Sequence, residues 1–477
     1  MPENTNLNIA VVGGGPGGYA AAFLAADLGL KVALIDPEAN PGGVCVYRGC
    51  IPSKALLHVA KLIDESRQAR SWGVELGDPR IDLAKLRHHK DAVVERLTSG
   101  TGQLVKYRKV QYLRGLADIV DPHRIRVRLS NGGDEELQFE HAILATGSRP
   151  ATVPGLAPDG RRIWDSTRAL ELPEIPRTLL VVGGGYIGLE LGSVYAALGS
   201  HVTVVEMAEG LLPGADRDLV AILASRVAKQ MREVRLKTKV ARLAEEADGM
   251  RVTLESAGLP GSEFIVDNVL IAVGRRPNSE IPGLDRTAVQ LDRRGFIVVD
   301  GQRRTHEPSI FAIGDVAGEP MLAHKASHEA RTAVEVITGH DVVFEPHAIP
   351  AVVFTDPELA WCGLTEAQAL ERNLDVAIAK FPWGASGRAI TLDRTDGLTK
   401  LVLERETERV LGVGLVGAGA GELISEGVLA IEMAATATDV ASCIHPHPTL
   451  TETVMESAEV FFGQATHVYR PKRDARS

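Results

Sequence analysis

At 477 residues the chain is too long for one ordinary hydrophobic core, and 45% hydrophobic with 24% charged residues is the composition of a globular protein of about three or four domains. A formal net charge of −10, from 52 basic and 62 acidic residues with no long Lys/Arg block, excludes a nucleic-acid footprint, and no apolar run approaches the roughly 18 residues of a membrane span. Four cysteines, Cys45, Cys50, Cys362 and Cys443, are too few for an extracellular disulfide scaffold.

The opening MPENTNLN has neither the basic start and apolar centre of a secretory signal nor the Arg-rich character of an organellar presequence, so the expected compartment is the cytoplasm. Next, NIAVVGGG (8–15) is a strand-like apolar run breaking into glycines, PGGYAAAFLAADLG has helical spacing, and KVALID returns to strand. This is one βαβ unit carrying Gly-x-Gly-x-x-Gly at Gly13, Gly15 and Gly18. Asp36 closes its second strand 23 positions after Gly13. The glycines permit a tight turn, a close approach of backbone to a pyrophosphate and the packing of helix on strand, and the acid is spaced to accept bonds from ribose hydroxyls.

GGVCVYRGCIPSKALLHVAKL (42–62) places Cys45 and Cys50 five positions apart where an amphipathic helix begins. Five residues of regular helix rise ~7.5 Å, beyond the ~7 Å Cα limit of a disulfide, so at least one cysteine belongs in a distorted turn, for which Gly42, Gly43 and Gly49 give freedom. Pro52 suits the first turn of a helix. Thiols near a helix N-terminus are expected to have lowered pKa values and to exchange readily. Two buried reduced cysteines or half of a zinc site are the other readings of this pair, although no further zinc ligands are spaced nearby.

HAILATGSRP (141–150) and SIFAIGDVAG (309–318) are apolar strands ending in small residues, which fit a flavin domain interrupted and then resumed. Asp315 is placed either to bond a ribityl hydroxyl or to serve as a turn or cap residue. Between them LLVVGGGYIGLELGSVYAALGSHVTVVE (179–206) repeats the βαβ grammar about 170 positions after the first copy, with Gly183, Gly185, Gly188 and, 23 after Gly183, Glu206. A carboxylate here favours NAD, since it repels a 2′-phosphate, and no Arg or Lys follows until Arg217. From about residue 349, alternating strands such as TKLVLE and VLGVGLVG precede a helix-like stretch from Gly421 to Ala435, an α+β pattern. HPHPTLTE (445–452) follows, and YRPKRDARS reads as a frayed tail. Two histidines alternating with prolines suit a rigid turn or a base, because an imidazole oriented by a carboxylate accepts a thiol proton near neutrality.

From about residue 7 to residue 465 the chain resembles the pyridine nucleotide-disulfide oxidoreductases, and within them the dihydrolipoamide dehydrogenase group. The matching segments are GGVCVYRGCIPSK, RIWDST, GGGYIGLELG, VVEMAEGLLPGAD, AVGRRPN, FAIGDVAGEPMLAHKA, FTDPELAWCGLTE, FPWGASGRAI and HPHPTLTE. The resemblance implies an α/β fold with two Rossmann-like dinucleotide-binding domains, for FAD and NAD, plus a C-terminal α+β dimerisation domain. The expected division is a FAD-binding domain (1–150, resumed at 274–348), a NAD-binding domain (151–273) and the dimerisation domain (349–477). It further implies a Cys45–Cys50 redox disulfide with Cys45 as interchange thiol and Cys50 facing the flavin. Lys54 and Glu190 would pair beside the flavin N5, and Tyr186 would gate its nicotinamide face. His447 and Glu452 would form a base dyad reaching across an obligate homodimer. Thr146, Gly147, Gly274 and Ala323, inside matching or adjoining segments, are further candidates for cofactor contact, and no metal is expected. The implied partner is a lipoylated carrier or lipoyl domain of a 2-oxoacid dehydrogenase or related complex. Other readings are a reductase of a different disulfide, or a low-turnover assembly component of such a complex.

Two departures from the family pattern stand out. Asp36 replaces the commoner, longer Glu. Val46, Tyr47 and Arg48 stand between the cysteines where relatives often have Leu-Asn and a small or apolar residue, and Arg48 is expected to stabilise a thiolate or to meet an acidic carrier surface.

Overall fold

The apolar runs that alternate least are the strands buried on both faces, as parallel sheets require. In the computed structural model, which describes residues 6–256 and 259–469, Val32–Asp36 is buried at every position. It lies in a sheet ordered Ile310–Ala312, Asp134–Leu144, Asn6–Val12, Val32–Asp36 and Gln111–Asp121, all parallel. Arg124–Leu129 pairs antiparallel with both long strands, Gln111–Asp121 and Asp134–Leu144. The helix Pro16–Asp27 starts with proline at its first position, where the missing N–H costs no bond, and buries Ala21, Ala22 and Ala25 against the sheet. The tail expected to fray lies, from residue 470 onward, outside the described residues.

The chain divides into two compact units, one formed by residues up to His58 with Arg80–Glu174 and Val273–Glu345, the other by Val59–Pro79, Ile175–Ala272 and the residues from Pro346. The second unit repeats the parallel arrangement with strands Glu233–Arg235, His201–Val205, Thr178–Val182 and Asn268–Ile271. Besides a three-stranded antiparallel sheet of Thr238–Glu246, Gly249–Ser256 and Leu259–Val266, it holds a five-stranded antiparallel sheet ordered Ala351–Val353, Glu358–Gly363, Val410–Gly417, Leu398–Glu404 and Val376–Pro382. The helix expected over 421–435 is Ala420–Glu432; Gly419 in the left-handed region precedes it, and Ala434 in that same region follows its end. No helix among the described residues is long and apolar enough to cross a membrane.

Inside the second unit Lys400 is almost wholly buried, its Nζ 2.6 Å from Asp216, 2.8 Å from Asp218 and 3.3 Å from Glu366. Lys380 adds a further bond to Asp218 at 2.7 Å. Three carboxylates around one buried ammonium are costly to leave unbalanced. Lys400→Met is therefore expected to destabilise the protein by about 3 kcal/mol, read as a lowered unfolding midpoint in urea, whereas a change under ~1 kcal/mol would mean the cluster is well solvated.

Candidate active site

Both glycine turns are built by sterics. Gly13 has φ +106°, and a Cβ there would lie 2.3 Å from the Ala145 carbonyl oxygen, while one on Gly18 would lie 1.7 Å from the Gly13 oxygen. On Gly188 it would lie 2.1 Å from the Gly183 oxygen, yet at Gly185 it would meet nothing within 4 Å. Gly13 and the third glycine of each turn thus permit close backbone approach, while Gly185 faces open space at the start of a helix and Gly15 has the Gly43 Cα 3.9 Å from where its Cβ would stand. Helices Pro16–Asp27 and Tyr186–Leu198 begin there without a side-chain cap. Space beside uncapped helix N-termini fits a pyrophosphate.

The two acids are held alike. Asp36 accepts from the Gly14 N–H at 2.5 Å and the Glu38 N–H at 2.9 Å, and Glu206 from the Gly184 N–H at 2.6 Å and the Ala208 N–H at 2.7 Å. Each carboxylate oxygen keeps a lone pair for a ribose hydroxyl. Burial pushes the Asp36 carboxyl up, against the lowering effects of the Gly14 N–H and the charge of Arg48.

The redox segment is two helices rather than one. Gly43–Arg48 carries Cys45, Gly49 breaks the run with φ −144° and ψ −111°, and Cys50–Gln68 restarts it with Cys50 as its first residue. A Cβ on Gly43 would fall 2.5 Å from the Gly15 Cα, so the short helix is seated directly on the first phosphate-binding turn. Both cysteines are thiols, and they hydrogen-bond to each other. That hydrogen bond is the chief reason the Cys45 thiol is pushed far above its usual range. Burial and the charge of Cys50 add to it, Lys54 opposes it and Asp315 raises it further. The lowering expected of a helix N-terminus does not hold for Cys45, because two close thiols cannot both ionise easily and Cys45 is on the short helix. Of the two roles expected of Arg48, the one on the thiolate is not what the structure favours: its guanidinium pairs with Glu38, and the cation acting on Cys45 is Lys54. Among the described residues, no cluster of three His, Cys, Asp or Glu is arranged to hold a metal ion.

Asp315 sits in the turn Gly314–Val316 after the strand Ile310–Ala312 and accepts from the Ser148 hydroxyl, which in turn accepts from Arg275 Nε at 2.7 Å. Buried Glu329 holds the same turn by accepting the Gly314 N–H at 2.6 Å, and it is balanced by Arg303 and Lys325. Thr146 and Gly147 are tied to Asn278, with Thr146 Oγ1 donating to its carbonyl at 2.8 Å. Gly147 and Gly274 have positive φ and face open space, and Ala323 opens the helix Ala323–Ile337. Glu190 is buried and accepts the Phe354 N–H at 3.0 Å, while Tyr186 begins its helix 41% exposed.

At the C-terminal sheet the helix Glu452–Phe462 is seated by a buried chain in which Trp383 Nε1 donates to Thr399 Oγ1 at 2.9 Å and Thr399 meets Thr453 at 2.7 Å. Glu452 therefore projects from a fixed first turn. His447 Nδ1 lies 2.9 Å from Glu452 Oε1, and the Thr449 N–H donates to the other oxygen at 2.7 Å. Burial works to raise Glu452, but the Thr449 N–H, the His447 bond and the charges of His447 and His467 leave it below the ordinary carboxylate range. The His447 side chain is 71% exposed. With Nδ1 committed to Glu452, Nε2 is the ring nitrogen available to exchange a proton.

Sequence reasoning did not separate the two histidines of HPHP by position. His445 is buried with Nε2 2.7 Å from Glu426 and Nδ1 2.9 Å from the Cys443 carbonyl oxygen. Both partners are acceptors, which favours the doubly protonated ring. Its pKa is raised: burial opposes the charge, but Glu426 and that carbonyl outweigh it. His445 is thus tied into the fold through both ring nitrogens. Tyr19 was missed as well; burial and then the nearby Cys45 and Cys50 raise its hydroxyl's pKa, which puts it beside the redox pair. His467, paired with Glu456, shares a small cleft with His447 and Glu452. No local signal marks it.

The family model for pyridine nucleotide-disulphide oxidoreductase matches residues 7–330, and that for the family's dimerisation domain matches residues 349–458. The chain is 46% identical to the dihydrolipoyl dehydrogenase of Haemophilus influenzae, over 99% of this chain and 98% of that protein. It is also 46% identical to that of Thermus scotoductus, over 97% and 98%. Among solved structures, LpdA from Mycobacterium tuberculosis superposes with a TM-score of 0.87 at 28% identity, covering 95% of this chain and 99% of that one. The HOCl-induced flavoprotein disulfide reductase RclA from Escherichia coli gives 0.82 at 28%, covering 94% and 98%.

Proposed function

The chain belongs to the pyridine nucleotide-disulphide oxidoreductase family, with FAD and NAD as its cofactors, and from that premise we propose that it oxidises protein-bound dihydrolipoamide to lipoamide while reducing NAD to NADH. The observation that carries this reading is the hydrogen-bonded Cys45 and Cys50 across a helix break, seated through Gly43 on a phosphate-binding turn. Bound FAD supplies a two-electron store between the sulfurs and the nicotinamide. Asp36, the Gly13–Gly15–Gly18 turn, Thr146, Gly147, Asp315, Gly274 and Ala323 are assigned to holding it. Gly183, Gly185, Gly188, Tyr186 and Glu206 are assigned to NAD. Lys54 and Glu190 are assigned to the flavin N5 side.

In the sulfur chemistry a substrate thiolate attacks Sγ of Cys45 in the oxidised pair, the Cys45–Cys50 bond breaks, and Cys50 leaves with the electron pair. The second substrate thiol then attacks the mixed disulfide, releasing lipoamide and Cys45. Two thiol protons must be removed, and His447, oriented by Glu452, takes them up at Nε2 and passes them on. An imidazole 71% exposed in the isolated chain suits this work only if something covers it. On this reading a second copy does so, and each dyad serves the other copy's cysteines through the dimerisation domain. The cytoplasm is the compartment we assign, since a cycling dithiol there is catalytic rather than structural.

Steady-state NADH formation from a panel of purified lipoyl domains, with free dihydrolipoamide alongside, tests the proposal. Turnover on another disulfide that exceeds turnover on every lipoyl substrate would overturn it. Glu206 gives a second test. Glu206→Ala is expected to reduce the NAD over NADP preference in kcat/KM at least about tenfold, by removing both a ribose acceptor and a charge that repels a 2′-phosphate. An unchanged ratio would place the discrimination elsewhere.

A further inference from the structure

Two of the residues that depart from the family pattern, Tyr47 and Arg48, lie on the same short helix as Cys45, and both reach back to the loop that follows Asp36. Arg48 forms an ion pair with Glu38. The Tyr47 hydroxyl donates to the Asn40 carbonyl at 3.0 Å and accepts from its N–H at 3.3 Å. From the neighbouring strand, Tyr112 donates to the Glu38 carbonyl at 3.0 Å and Arg114 Nε to the Pro37 carbonyl at 3.2 Å. The loop from Pro37 to Asn40 is thus held from two sides, and one side is the redox helix.

We propose that Arg48 is a positioning residue for the flavin, holding the redox helix against the strand end that carries Asp36 and supplying the positive charge that lets two carboxylates, Asp36 and Glu38, stand together there. This rests on the FAD reading of the first dinucleotide turn. Asp36 is only 6% exposed, and an acid so buried accepts a ribose hydroxyl strongly only while ionised. Around it are the Gly14 N–H, the Glu38 N–H, Tyr112 and the cation Arg48, with Arg114 opposite it on the neighbouring strand. Of the two cations, only Arg48 is among the main influences on Asp36, and it favours the charged form against burial.

The sign follows directly. Removing Arg48 shifts Asp36 further towards its neutral form, so FAD should be lost at a higher pH than from the native protein. The experiment is FAD release from purified holoenzyme, followed by flavin fluorescence after dilution, from about pH 8 to about pH 5. Arg48→Met and Arg48→Gln should release FAD about tenfold faster than native protein near pH 5 and differ much less near pH 8, while Arg48→Lys restores near-native release. Equal release at all pH values, or a difference that does not vary with pH, would overturn the proposal, the latter by showing a purely steric tether. Native protein that neither purifies with FAD nor binds it would instead sink the underlying FAD reading, so the two failures are distinct.

Discussion

Cys50→Ser is expected to lower dihydrolipoamide oxidation at least about a thousandfold in kcat/KM, while FAD stays bound and NADH-dependent dye reduction remains within about twofold of native. A hydroxyl cannot close the sulfur–sulfur bond on which electron transfer from substrate depends, and Cys362, buried in the C-terminal sheet, cannot take its place. Cys50 is itself exposed, so the substitution leaves no cavity and the fold should persist. Cys45 would still open an oxidised lipoyl group, but the adduct could only be reversed by the lipoyl group's own second thiol, with no net transfer. Mass spectrometry after alkylation of the mixture of protein and lipoamide should therefore find a mixed disulfide on Cys45 whose second lipoyl sulfur carries the alkyl group. A serine variant retaining more than a few per cent of native turnover would remove the cysteine pair from the electron path.

Those parts of the site that are fixed by short-range geometry could be read from the sequence. The glycine turns are legible because no larger residue fits where a Cβ would stand 1.7 Å from a carbonyl oxygen, and the acids because each closes the very next strand. The break at Gly49 is legible too, since a disulfide cannot span five residues of continuous helix. Pairings that depend on side chains reaching across the fold are not. Lys400, in TKLVLE, reads as an ordinary strand lysine, and its partner Asp218 lies 182 positions away. Arg48 reads in sequence as a partner for its neighbouring thiols or for a carrier, whereas a long side chain on a short helix found the carboxylate of Glu38. The choice between His445 and His447 came from family resemblance alone, and the physical difference between them is in their partners and exposure: two acceptors hold the buried first ring and raise its pKa, while one carboxylate orients the exposed second.

His447→Gln is expected to lower kcat for dihydrolipoamide oxidation about 10²- to 10⁴-fold. Its targets give the reason: both substrate thiols must lose a proton before they can attack, and in the reduced enzyme Cys45 too holds its proton tightly through Cys50 and burial, so a base is needed at hand. Glutamine can still donate to Glu452 but cannot carry a proton away. Because the side chain is 71% exposed in the single chain, thermal unfolding should barely change. The loss should differ in kind from that of Cys50→Ser. The disulfide still forms, alkylation of Cys45 in the reduced enzyme becomes slower, and the deficit shrinks as pH rises, when hydroxide and solvent take the proton instead. Glu452 sets the other boundary. Its pKa is depressed, so its support of the imidazole is present above its unperturbed value of about 4.3 and fades only as pH falls through the lower folded value. Any acid limb seen above about pH 5 in the native profile therefore belongs to groups other than Glu452, and should persist in Glu452→Gln at reduced height. Were His447→Gln to turn over within tenfold of native near pH 7, the proton would have to leave by another route and the dyad would have no catalytic part.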